Sequence, residues 1–254
     1  EPLHHIKPEA MAKYMKYFDE KCQGSKAMIE DAKRVIPGGV QHNLAFNYPF
    51  PLVIEKAEGA YLYDIDGNRY VDYLQAGGPT LLGSNYEPVN KKVWEVVKES
   101  GPVTGLFHPY EKLLAEKIRE CMPWVEMYRC LASGTEADMV AIRIARTYTG
   151  KQNIVKAGGA YHGWSDQLVY SLHIPYTKTF EAHGIPETAS QHTKEFYPGD
   201  IDGLRKVLEA NEKEGGTAAV IIEPFGPESG TRPVAKDFAA KVRALCDEFD
   251  ALLI

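Results

Sequence analysis

Three short stretches gather residue types that bind anions, stack on flat rings or carry charge at a strand end. The first is Leu131-Ala132-Ser133-Gly134-Thr135-Glu136, where Ser133 and Glu136 have capping-box spacing and Gly134 and Thr135 supply N–H groups at the positive end of the following helix. A phosphate suits such a helix start, although the same residues also read as a plain cap. The second is Gly158-Gly159-Ala160-Tyr161-His162-Gly163-Trp164-Ser165. Its glycines let the backbone turn tightly while Tyr161 presents a face for a planar heteroaromatic ring. His162 beside it also reads as a satisfied structural histidine. The third is Val220-Ile221-Ile222-Glu223-Pro224, an apolar run ending in an acid that needs hydrogen bonds or a positive partner if buried. Glu228-Ser229-Gly230 follows as a loop over the same edge, and either glutamate alone also reads as a solvated charge.

The surrounding pattern places these stretches on one kind of scaffold. From Tyr128 onward, short apolar runs alternate with helical periodicity. Strands are expected at Tyr128 to Ala132, Asn153 to Lys156, Ala218 to Ile222 and Ala251 to Ile254, with helices at Ser133 to Thr147 and Lys236 to Phe249. That alternation predicts an α/β domain with a mainly parallel sheet and helices on both faces. In such sheets ligands bind beyond the carboxyl ends of the strands, where all three stretches fall. Upstream, Ser25 to Ile36 is amphipathic and is broken by Pro37-Gly38-Gly39. Two strand-like runs, Ala60 to Asp66 and Arg69 to Leu74, flank the hairpin signal Gly67-Asn68. Pro88 to Glu99, with Val89, Val93, Val96 and Val97, and Tyr110 to Cys121, with Leu113, Leu114 and Ile118, read as amphipathic helices. The expected division is 1–75, an N-terminal α+β arm and hairpin, and 76–254, the larger domain.

Composition narrows the function classes. A net charge of -6 with interspersed lysines and arginines offers no basic face for nucleic acid. No long apolar run predicts a membrane span, and the first twenty residues lack signal-peptide organisation. Cys22, Cys121, Cys130 and Cys246 are scattered without metal spacing, which predicts free thiols, no metal site and a cytoplasmic protein. The closing Leu252-Leu253-Ile254 reads as a buried strand whose neighbours lie outside the sequence, so a truncated chain is expected.

Taken together, Ile36-Pro-Gly-Gly-Val40, the segment from Ala57 to Tyr73, Ser133-Gly-Thr-Glu-Ala137, Tyr161-His-Gly163 and Ile222-Glu-Pro224 resemble the class III aminotransferases, closest to the glutamate-1-semialdehyde aminomutase branch. The resemblance runs from about Ser25 to Ile254. It implies a fold type I pyridoxal 5'-phosphate (PLP) transferase and a homodimer, with amino-group transfer between an amino donor and a keto acid by a ping-pong route through pyridoxamine phosphate. It also implies cofactor contacts from Ser133, Gly134, Thr135, Tyr161, His162 and Glu223, with Tyr161 stacking on the ring, and puts Glu228, His42 and Trp164 on the substrate side. The Schiff-base lysine and the aspartate at the pyridine nitrogen are expected beyond Ile254, leaving this stretch catalytically incompetent alone.

Departures from the aminomutase pattern bear on the substrate. Leu44-Ala45-Phe46 stands where that branch carries an arginine, and Ala76-Gly77 where it carries a serine-tryptophan pair. Glu228 matches the gating glutamate of ω-amino acid transaminases, and Tyr161-His-Gly-Trp164 is similar to D-selective members. The alternatives on the same cofactor are aminomutase and racemase chemistry. From another class, the alternative is a non-catalytic homologue.

Overall fold

The computed structural model describes residues 6–100, 105–169, 171–177 and 183–254, which fall into two compact units, 1–107 and 108–254. Residues 76–107, assigned from sequence to the larger domain, group with the first unit.

In the first unit, α1 (Pro8–Lys21) opens on a proline, whose missing N–H costs nothing at a helix start, and α2 (Gln23–Ala32) follows directly. Three antiparallel strands, β1 (Ile54–Glu58), β2 (Tyr61–Asp64) and β3 (Arg69–Val71), lie in that order. Buried Asp64 fixes the β2–β3 turn by accepting from the Asn68 N–H at 2.8 Å and the Tyr70 hydroxyl at 2.7 Å. Asp66 in that turn accepts from the N–H groups of Gly24 and Ser25 at 2.6 and 2.9 Å and from the Ser25 hydroxyl at 2.8 Å. It thereby caps α2, whose own N-cap, Cys22, makes no side-chain cap. A Cβ on Gly24 would lie 2.7 Å from the Asp66 Oδ1, so only glycine admits the clasp. Burial alone would raise the Asp66 pKa, but these bonds outweigh it and hold the carboxyl below its ordinary range. The unit closes with α3 (Glu87–Ser100).

The second unit begins with α4 (Pro109–Cys121), which opens on a full capping box. The Nδ1 of His108 accepts from the Tyr110 N–H, and Glu111 accepts from the His108 N–H at 2.7 Å. Next come α5 (Gly134–Thr149), β4 (Asn153–Ala157), the short α6 (Glu187–Ser190) and β5 (Thr193–Phe196). They are followed by α7 (Ile201–Glu212), β6 (Thr217–Ile221), the short α8 (Pro227–Gly230), α9 (Phe238–Glu248) and β7 (Leu252–Leu253). The strands form a parallel sheet in the order β5-β4-β6-β7. Every residue of β4 and β6 is buried, as central parallel strands covered on both faces require. One face packs Ile154, Ala219 and Ile221 against Ile142 of α5 and against Leu168. The other packs Val155, Ala157, Phe196 and Val220 against Leu204 and Leu208 of α7 and Val242 and Leu245 of α9.

One sequence expectation needs correction. Tyr128 to Ala132 is not a strand; among the described residues no ladder forms with it, since the sheet runs from β5 to β7 without it. The helices α3 and α4 form, but Val89, Val93, Val97, Leu113 and Leu114 are exposed rather than buried. Their periodicity correctly predicts helix, and nothing among the described residues of either unit covers the apolar stripe.

Candidate active site

Alternation of strand and helix brings two of the three chemical stretches into direct contact. Ser133 is the N-cap of α5, in extended conformation, and its hydroxyl oxygen accepts from the Glu136 N–H at 3.2 Å. The same hydroxyl donates to the Glu136 carboxylate at 3.2 Å. Glu136 therefore engages Ser133 on both sides, leaving the N–H groups of Gly134 and Thr135 at the helix mouth without an intramolecular partner among the described residues. These orphan donors and the α5 dipole together form a cradle for an anion.

The loop after β4 closes on this cradle. Gly163 sits at φ +82°, a conformation L side chains rarely adopt, and a Cβ there would lie 2.6 Å from both the Cα and the Oγ1 of Thr135. Glycine thus admits a backbone-to-helix approach that no other residue allows. The next residue, Trp164, donates its backbone N–H to the Thr135 Oγ1 at 3.0 Å. With that oxygen already accepting, the Thr135 hydroxyl keeps its own hydrogen to donate to an anion at the helix start.

Two residues earlier, Tyr161 is 51% exposed and displays its ring, while His162 is 6% exposed. Among the described residues the buried His162 Nε2 has no hydrogen-bond partner, an arrangement that demands explanation in a native site. Burial, assisted by the nearby Lys156 ammonium, pushes the His162 pKa down to about 4, and the imidazole stays neutral at ordinary pH.

The third stretch lies beyond β6. The Glu223 Oε1 accepts from the Glu228 N–H at 3.1 Å, and Lys156 supplies a neighbouring positive charge. Both needs of a partly buried acid, donors and a cation, are met. Glu228 adopts a left-handed backbone (φ 55°) within α8, and its carboxylate pairs closely with the Nδ1 of His173. His173 is itself left-handed (φ 64°), and its carbonyl accepts from the Arg232 guanidinium at 3.2 Å. Non-glycine residues in this region store strain and cluster at functional loops. Trp164 is exposed beside the cradle. His42, in the other unit, uses its Nδ1 to accept from the Leu44 N–H at 3.1 Å within a local turn.

Lys156, Glu195 and His173 escaped the sequence reading. Lys156 left one signal, a charge inside the apolar run Ile154-Val155-Lys156-Ala157; the other two belong to no motif.

These features fit a phosphorylated, planar cofactor: unpaired donors at a helix start, a hydroxyl with a hydrogen to give and an aromatic face. Comparison with known proteins agrees. The chain superposes on an omega-transaminase from Sphaerobacter thermophilus with a TM-score of 0.83 at 27% identity, over 93% of this chain and 55% of that one. A beta-phenylalanine aminotransferase from Variovorax paradoxus gives 0.82 at 28%, over 96% and 54%. A glutamate-1-semialdehyde-aminomutase from Pseudomonas aeruginosa PAO1, at 23% identity and a TM-score of 0.80 over 95% and 53%, shares the fold. The chain spans about half the length of these structures. The sequence pattern of the family described as aminotransferase class-III matches residues 44–254, and the chain belongs to that family.

Proposed function

We propose that this chain supplies the phosphate cradle and ring-stacking face of a PLP-dependent enzyme that transfers an amino group between an amino acid or amino ketone and a keto acid. The observation that carries the reading is the seating of Gly163 on Thr135, which joins an anion site and an aromatic loop in one rigid arrangement. Bound there, PLP would act as the electron sink and carry the amino group between the two half-reactions of a ping-pong exchange.

The residues divide the work. Gly134, Thr135 and the α5 dipole hold the phosphate, while Ser133 sets the cap that aims them. Tyr161 covers one face of the ring, and neutral His162 follows it in the same loop without adding charge. Glu223 orients Glu228 through the Glu228 N–H. Glu228, with Trp164, belongs to the substrate side, and its pairing with His173 lets the carboxylate be drawn away from an incoming acid group. The exposed apolar faces of α3 and α4 support a homodimer, and four unpaired cysteines support a reducing, cytoplasmic setting.

The test is the near-ultraviolet and visible absorbance of the full-length protein, before and after borohydride and with amino donors. A PLP band that donors bleach and added keto acid restores is the expected result. Bleaching and product formation with no need of keto acid would instead indicate a mutase or racemase. No bound PLP, even after its addition, would overturn the reading.

A further inference from the structure

We propose that Lys156 is a positioning residue for the cofactor site: its buried ammonium ties the loop carrying Tyr161 and His162 to the strand ends where Glu195 and Glu223 stand. The proposal rests on the PLP reading above.

Lysine is among the residues least often buried, yet Lys156 is 0% exposed in a strand whose other residues are all buried. Alternation along β4 puts it on the face that Ile154 shares with Ile142 and Leu168. An apolar side chain would pack there without the cost of desolvating an ammonium, so sheet packing does not account for the charge.

Its surroundings do. The Nζ donates to the carbonyl of Leu168 at 2.7 Å, six residues past His162, and the Leu168 N–H in turn closes on the Ser165 carbonyl at 2.8 Å. Strand register sets Lys156 opposite Glu195 on β5 and opposite Ile221 on β6, and Glu223, two residues beyond Ile221, is near enough for its charge to act on the lysine. Glu195 accepts from the Ser171 hydroxyl at 3.1 Å and the Tyr176 N–H at 3.3 Å, fixing the far end of the loop. Glu223 accepts from the Glu228 N–H. One cation thus stands among a carbonyl and two carboxylates, each of which holds a different part of the binding surface. Both carboxylates favour the charged lysine against the burial that opposes it.

The experiment compares full-length wild type with Lys156→Met, which removes donor and charge, and Lys156→Gln, which keeps a donor without charge. PLP is titrated into each apo protein, circular dichroism induced in bound PLP is recorded at saturation, and thermal unfolding is followed in parallel. Lys156→Met is expected to bind PLP at least about tenfold more weakly and to show an altered induced signal, because the Leu168 carbonyl loses its donor. Lys156→Gln should recover part of both. Wild-type affinity and an unchanged induced signal in Lys156→Met would overturn the proposal. Should Lys156→Met fail to fold, Lys156→Gln decides: unchanged binding and signal overturn the proposal, and weakened binding with an altered signal supports it. Wild-type protein that binds no PLP overturns the functional reading and this proposal with it, whereas the contrast between wild type and variants addresses Lys156 alone.

Discussion

Replacing Gly163 with alanine tests whether the contact between the aromatic loop and the helix start is what makes a cofactor site. The added methyl would lie 2.6 Å from the Thr135 Cα, and because that atom is backbone, no side-chain rotation relieves the clash. Ordinary carbon contacts lie near 3.5 to 4.0 Å, so the loop must lift by about 1 Å. Holding alanine at φ +82° costs about 1–2 kcal/mol, by the crowding of Cβ in left-handed backbone. Lifting also breaks the 3.0 Å bond from the Trp164 N–H to Thr135, a loss of about 0.5–1.5 kcal/mol. Together these come to roughly 2–3 kcal/mol, which raises the Kd for PLP by about 30-fold or more if the cost falls on the bound arrangement. The assay titrates PLP into apo full-length protein and compares the far-ultraviolet circular dichroism of both forms. Intact secondary structure with weakened binding is expected. An unchanged Kd would refute the argument that this contact assembles the site. Gly134 provides the contrast: it has no positive φ and nothing within 4 Å of a Cβ, so Gly134→Ala should leave the apo fold at least as stable.

Three further outcomes follow from the same geometry. Ser133→Ala removes the acceptor for the Glu136 N–H and should lower stability by about 1 kcal/mol in urea unfolding. Lys156 has its pKa pushed by burial down to about 8 from 10.5, so between those pH values the folded lysine is neutral while the unfolded one still holds its proton. Unfolding then takes up a proton, and stability should rise by up to about 3 kcal/mol across that window in wild type but not in Lys156→Met, as urea midpoints at its two ends would show. Gly24→Ala drives a methyl into the Asp66 carboxylate and should loosen α2, read as faster amide exchange at Gln23 to Ile29.

What the sequence disclosed and what it hid have separable causes. Local chemistry was legible: the spacing of Ser133 and Glu136 predicted the α5 cap, Gly67-Asn68 the hairpin, and the apolar runs at 153–156 and 218–222 the two central strands. The parallel sheet followed from their alternation with helices. Pairing was not legible. Ile54-Glu-Lys-Ala-Glu58 has the composition of a helix, yet it forms β1 because β2 offers it a ladder. Tyr128 to Ala132 has strand composition but finds no ladder among the described residues. In the site, Tyr161 and Thr135 were visible as motif residues, while Lys156 was seen only as the end of a strand. Its meaning depends on register with Glu195, a relation between residues 39 apart in the chain that no local pattern encodes.

The clasp between Asp66 and the start of α2 has a consequence for the order of events during synthesis. Its two ends are 41 and 42 residues apart, and at ordinary translation rates the aspartate follows the helix by about 2 to 8 s. Throughout that interval α2 is a ten-residue segment with no cap of its own, shorter than the roughly 12 to 15 residues an isolated helix needs in water. The nascent arm therefore waits as an unstructured amphipathic stretch, open to chaperones and proteases, until the hairpin leaves the ribosome and both form together.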